Sequence, residues 1–337
     1  MKKNNYFTLD NVSQRHLLEQ AIVKVGLPPQ AIEKDIWVST ILQMVFTLPF
    51  ADKVIFKGGT SLSKVWEVIS RFSEDIDLAI DRSVFDLEGD LTKKKLKKLR
   101  KASSVFVREN FKNALQQVLD NYGLSNLCTL DAEPDGEGDN TYPEPRKLFV
   151  HYKSAFADNI DYIKPVVMLE IGSRSLFEPN EKASVHSLLE EAFPSIQTSL
   201  AEAKIATAVP GKTFLEKVFL LHELFSIPGY GMKANRKSRH LYDLYRMMNE
   251  DFALDAIKDR DLWETICHHR EIFTSVKGMD YKSDIRKGLV LVPREDILDN
   301  WRRDYEVMCQ AMIYGDKPTF SELIEAMHEL EHRFKIS

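Results

Sequence analysis

Apolar residues recur at helical spacing through residues 11–24, and Gly26 with the Pro28-Pro29 pair then stops the pattern. A second helix is expected from about Gln30 to Phe46, where Ile32, Ile36, Trp37, Ile41, Val45 and Phe46 are apolar. Lys53–Lys57 is a short β-branched and aromatic run that stops at Gly58-Gly59, which predicts a strand entering a glycine turn. Ser61–Ser70 carries a helical stripe of Leu62, Val65, Trp66 and Ile69. Asp75–Ile80 then alternates in period two, as a strand does. Residues 91–122 predict one long helix, 131–139 a solvated loop, and Arg146–Lys153 with Pro165–Ile171 two neighbouring strands. From about Pro179 the helical period dominates, in segments near 185–203, 213–226, 236–250, 252–260, 283–288, 295–313 and 319–335. The simplest organisation is a mixed half followed by a helical half, divided as 1–180 and 181–337.

Composition narrows the class. The 337 residues suffice for one large or two ordinary domains. Acids outnumber Lys plus Arg by 51 to 46, a net charge of −5, which excludes a globally basic nucleic-acid coat but leaves room for a local basic groove. The densest basic stretch is Lys93–Lys101, with seven bases in nine residues; RNA binding and a solvated helix face are equally good readings of it. Cys128, Cys267 and Cys309 are too few and too scattered for a disulfide framework or a metal knuckle, which favours a reducing compartment. With no apolar leader and no run approaching 18 apolar residues, a cytoplasmic protein with no membrane partner is expected.

The chemistry concentrates in Lys57–Lys64 and Arg71–Leu78. Adjacent glycines after a strand let backbone approach a phosphate closely, and a following helix start adds free N–H donors. Thr60, Ser61 and Ser73 bring hydroxyls within reach. Asp75 and Asp77, two apart on a strand, leave one face together, while Ile76, Leu78 and Ile80 leave the other. Like charges side by side call for a cation, and Mg²⁺ (or Mn²⁺) suits an all-oxygen site completed by substrate phosphates. Two such ions would activate an attacking hydroxyl and stabilise leaving pyrophosphate. Glu170, closing the face of Val166 and Met168, is a candidate third ligand. Gly211-Lys212-Thr213 imitates the end of a P-loop, but Ala206 stands at the first glycine position, Pro210 intrudes, and no β-branched strand is evident before it. His268-His269 diverge on a helix and make a poor metal pair.

Gly-Gly, a helix and then Asp-x-Asp resembles the first motif of the DNA polymerase β-like nucleotidyltransferases. The fuller wording, Lys57-Gly-Gly-Thr-Ser-Leu-Ser-Lys64 with Arg71-Phe-Ser-Glu-Asp-Ile-Asp-Leu78, resembles the AbiEii/AbiGii toxin family within them. Glu33-Lys-Asp-Ile-Trp-Val38, Thr213-Phe-Leu-Glu-Lys217, Ser238–Tyr245, Arg302–Met308 and Tyr314–Glu322 are similar in the same order. The resemblance implies an α+β polymerase β-like domain followed by a helical C-terminal domain. It also implies a nucleotidyltransferase (EC 2.7.7 type) toxin of a type IV toxin–antitoxin or abortive-infection system. Such toxins use a nucleoside triphosphate with Mg²⁺, some add nucleotides to the tRNA 3′ end, so that an RNA acceptor is expected, and a cognate antitoxin is implied.

Carried onto this chain, the resemblance makes Asp75 and Asp77 metal ligands and catalytic residues, Ser73 a phosphate contact, Lys217 the catalytic lysine and Asp243 the late aspartate. An ammonium on the apolar segment around Lys217 needs an anion, which a triphosphate would supply; Glu216 or Glu223 is the structural alternative. Asp243 is expected either to pair with Arg239 or Lys217, or to assist deprotonation of the acceptor. Arg236, Lys237 and Arg239 are candidates for triphosphate or RNA contacts. Two other readings remain: a non-catalytic RNA- or partner-binding protein on the same fold, and kinase-like phosphoryl transfer in the same pocket.

Overall fold

In a computed structural model, residues 4–156, 163–201 and 203–337 are described. In chain order the elements are β1 (Asn4–Asn5), α1 (Asn11–Val25), α2 (Pro29–Val45), β2 (Val54–Lys57), α3 (Gly58–Lys64), β3 (Asp75–Ile80) and α4 (Lys93–Phe106). After a π-turn at Val107–Phe111 come α5 (Lys112–Asn121), β4 (Cys128–Ala132), β5 (Arg146–Tyr152), β6 (Val166–Gly172), β7 (Asn180–Ala183), α6 (Leu188–Ala192), β8 (Ile196–Gln197) and β9 (Ile205–Ala208). The remainder is helical: α7 (Pro210–Ser226), α8 (Arg239–Met247), α9 (Asp251–Lys258), α10 (Arg260–Phe273), α11 (Leu298–Ala311) and α12 (Phe320–Ile336). None of these helices is long and apolar enough to cross a membrane, among the described residues.

Two compact units result, one of residues 1–65 with 72–208 and one of residues 66–71 with 209–337. The first is built on a seven-stranded mixed sheet in the order β4-β5-β6-β3-β2-β9-β7. β3 runs parallel to β6 and β2 parallel to β9; the other neighbours are antiparallel. Period-two alternation divides the sheet residues cleanly. Val54, Phe56, Ile76, Leu78, Ile80, Leu148, Val150, Val167, Leu169 and Ile171 enter one core with the apolar side of α2 and with Leu115 and Leu119 of α5. On the opposite face Ile55, Ala79 and Ala208 form a second, small apolar cluster beside the charged residues Lys57, Asp77 and Glu170.

The second unit packs α7 to α12 around aromatic contacts that include Phe219 with Trp263 and Phe225 with Trp301. Residues 66–71 join it through a bridge between Arg71 and Ile313, and the Ser70 carbonyl accepts from the Tyr314 amide at 3.2 Å.

Several elements differ from the sequence reading. The helix expected over Ser61–Ser70 starts three residues earlier and ends at Lys64, and Glu67 has a φ of 53°. Leu62 and Ile69 are buried, but not on one helical stripe. The expected loop at 131–139 begins inside β4. Beyond Pro179 the chain is not uniformly helical: β7, β8 and β9 lie there, and β7 and β9 extend the first unit's sheet. The contact division therefore falls at 208/209. The segment 283–288 forms turns rather than a helix, and α10 was not expected. A strand does precede Gly211-Lys212-Thr213, but only Val209 separates β9 from α7, leaving no loop to wrap a phosphate.

Candidate functional site

Lys57 ends β2 and Gly58 starts α3 with no intervening loop. Gly58 has φ +81°, a conformation that costs little only for glycine. A Cβ there would collide with the Asp77 carboxylate, so the elbow and the second acid of the strand are in direct contact.

Asp75 and Asp77 are half-buried on β3, while Ile76, Leu78 and Ile80 are buried in the core. Register then builds a charged row across the opposite face: Lys57 opposite Asp77, Asp77 opposite Glu170, and Glu170 opposite Lys147. Asp75 lies one row along, opposite Met168. The Glu170 carboxylate pairs with the Lys147 ammonium at 3.0 Å. Among the described residues, no three His, Cys, Asp or Glu side chains are grouped to hold a metal by themselves. The donor set therefore fits Mg²⁺ only as a two-carboxylate site whose remaining ligands are water and substrate phosphate, the usual arrangement for this ion.

The hydroxyls are engaged within the motif itself. Thr60 and Ser61 are buried. The Thr60 hydroxyl lies 2.8 Å from that of Ser73 and 2.5 Å from the Asp75 carbonyl, and Ser61 donates to the Gly58 carbonyl at 2.9 Å. They tie α3 to the start of β3. Gly59 and Ser73 are half-buried.

Both ends of this motif are held from α2. The Lys34 ammonium pairs with Glu74 at 2.6 Å, and Lys64 pairs with Asp35 at 2.5 Å, all four side chains being under a tenth exposed. Asp35 also accepts from the Leu188 amide at 2.7 Å. Adjacent residues of one helix thus anchor the last residue of α3 and the residue preceding Asp75. Buried charges persist only when paired, and the Glu33-Lys-Asp triplet inside a largely buried helix is the sequence signal for this clamp.

In the second unit, α7 carries Lys217 and α8 carries Asp243. Asp243 is fully buried and accepts a two-pronged contact from Arg71, at 2.7 and 2.8 Å. Its Oδ2 also lies 2.8 Å from the Lys217 ammonium. Lys217 is 3.3 Å from His240 Nδ1. Burial alone would raise the Asp243 carboxyl, but Arg71 and Lys217 override it and hold the group well below the usual carboxylate range. Burial pulls Lys217 below its ordinary value; Asp243 opposes this, and Arg71 and Arg239 reinforce it. Burial likewise drives His240 far down, with Lys217 and Arg239 adding to the effect.

Lys217 and Asp243 are thus brought together, and of the two expected partners of Asp243, Lys217 is the one bonded to it. Neither Glu216 nor Glu223 fills the expected structural role toward Lys217: Asp243 is its carboxylate partner, and Glu223 is engaged by Arg270 and Tyr281. Arg239 is half-buried at the start of α8. Arg71 and His240 were not singled out, although Arg71 opens the quoted motif and His240 stands three residues before Asp243.

A glycine elbow set against one of two strand carboxylates is what the resemblance to nucleotidyltransferases implies. Sequence comparison defines the same class: the profile described as nucleotidyl transferase AbiEii toxin, type IV toxin–antitoxin system, matches residues 40–326. The chain belongs to that family. Among solved structures it is similar to MenT4, a nucleotidyltransferase toxin from Mycobacterium tuberculosis H37Rv. The identity is 13%, covering 97% of this chain and 99% of that one, with a TM-score of 0.48. It is also similar to JHP933 from Helicobacter pylori, at 16% identity over 92% of this chain and 98% of that one, with a TM-score of 0.37. Comparison with curated proteins finds no match.

Proposed function

We propose that this nucleotidyltransferase moves a nucleotidyl group from a nucleoside triphosphate to the 3′ end of an RNA, with tRNA the favoured acceptor. It does so in the cytoplasm, to block growth until a cognate antitoxin intervenes. The observation that carries the reading is the contact between the half-buried Asp77 carboxylate and Gly58. Asp75 and Asp77 would hold Mg²⁺ (or Mn²⁺), which when bound supplies positive charge to the reacting phosphates. Gly58 and Gly59 leave backbone open to the nucleotide's phosphates. Thr60 and Ser73 keep β3 fixed against α3, so that the two acids are set in place before substrate arrives. Glu170 is proposed as an outer carboxylate that Lys147 restrains, rather than as a direct ligand.

Lys217 is proposed as the catalytic cation and Asp243 as the group that holds it charged and oriented. A carboxylate bonded to two cations and held far below its ordinary range is a poor proton acceptor, which favours pairing over deprotonation. The test is label transfer. Purified protein given RNA and α-labelled triphosphate should label the RNA in the presence of Mg²⁺ and not in EDTA. Asp77→Asn should lose the signal by about 10²-fold or more, the scale of removing one preorganised electrostatic group. Labelling from γ-phosphate instead would establish phosphoryl transfer and overturn the reading.

A further inference from the structure

α4 exposes Lys93, Lys94, Lys95, Lys97, Lys98 and Lys101, while Leu99, Ser103 and Ser104 are buried beneath it. At 100° per residue, Lys94, Lys97, Lys98 and Lys101 fall on one stripe opposite the buried side, about 10 Å long. Arg100 is not part of it: half-buried, it donates to the Tyr142 carbonyl at 2.6 Å. Among the described residues none of the six lysines has a carboxylate partner.

This helix is assembled against its own electrostatics. Three lysines occupy its first turn, where the macrodipole disfavours cations, and no acid is there to compensate. Like charges repel at i,i+4 through the pairs 93/97, 94/98 and 97/101. A surface that only needed solubility would mix signs, as the rest of this acid-rich chain does.

We propose that the lysine stripe of α4 docks the phosphate backbone of the RNA acceptor; the inference rests on the transferase reading above. The chemistry selects this occupant. Lysines are depleted in protein–protein interfaces, where aromatic and apolar anchors dominate, and the stripe carries neither. A membrane surface would call for apolar side chains beside the bases, and those of α4 are turned inward. Phosphates spaced along a strand need only a row of point charges.

The test uses the full chain with Lys94, Lys97, Lys98 and Lys101 all changed to Ala. A fluorescein-labelled RNA hairpin with a single-stranded 3′ end is titrated without triphosphate at several KCl concentrations. Wild type should bind with a steep salt dependence. The variant should bind at least tenfold more weakly, with the log–log slope shallower by about 3, from roughly 0.7–0.9 per lost contact. Its melting temperature should equal or exceed that of wild type, because repulsion has been removed. In the labelling assay its KM for RNA should rise while kcat holds.

An unchanged slope and affinity overturn the proposal. So does poly-glutamate of matched charge binding wild type as tightly as the RNA does, which would assign the stripe to an acidic protein. If wild type labels no RNA but the stripe variant still loses RNA binding, the docking surface stands and the transferase reading falls.

Discussion

Gly58 carries two constraints at once: a left-handed backbone and a neighbouring carboxylate where any Cβ would sit. Gly58→Ala should cost about 1–2 kcal/mol through backbone strain. Its larger effect should fall on catalysis, because the new methyl group has to displace Asp77. Denaturant midpoints beside labelling rates would separate the two losses; a variant with normal labelling would show that the contact is incidental. Asp243 makes the complementary case. Changing it to Asn leaves two buried cations sharing one neutral amide, and breaking a buried ion pair in this way typically costs about 3–5 kcal/mol. A loss below about 1 kcal/mol in urea unfolding would mean that Arg71 and Lys217 find other partners.

At the scale of elements, α2 is both core helix and clamp. Lys34→Met should remove the buried ammonium that faces Glu74 and destabilise the fold, by up to about 3–5 kcal/mol. Lys34→Met combined with Glu74→Met should recover most of that, since a double-mutant cycle isolates the pair. If the double variant is stable yet labels RNA poorly, the ion pair serves the geometry of Asp75 rather than folding. Additive losses would refute the coupling.

Elements with strong periodicity were legible in advance: α1, α2, β2, β3, the long α4–α5 helix, β5, β6 and α12. The strands that escaped have physical reasons for doing so. β7 reads Asn-Glu-Lys-Ala and lies at the sheet edge, where backbone pairing rather than burial holds it and charges guard the edge. β9 reads Ile-Ala-Thr-Ala, with little contrast between its faces. In the site, the glycine elbow and the two acids could be read because local spacing fixes them. The partners Arg71, Lys34 and Glu74 could not, because which charges meet is decided by tertiary packing.

For the whole molecule, acid should be destabilising well above the carboxylate range. Burial lowers both His222 and His240 from their ordinary value near 6.5, and in His240 markedly. Each therefore binds a proton less readily when folded, so as pH falls through about 6.5 the unfolded chain binds more protons and stability falls with pH. For His240 the slope should approach about 1.4 kcal/mol per pH unit in that window, and His222 should add to it in the same direction. Urea unfolding at pH 7.5 and 5.5 measures it, and His240→Gln should flatten the profile. An unchanged profile in that variant would show that His240 is protonated in the folded protein.

Residues 66–71 separate from the first unit between the glycine elbow and the two acids, and rejoin it at Phe72. The polypeptide therefore passes between the units three times, and no single cut releases the second unit whole. A fragment ending at residue 208 would keep Arg71 but lose Asp243, and the fragment from 209 onward would keep Asp243 but lose Arg71. Co-expressed halves should reassemble into a soluble pair, whereas either half made alone should precipitate.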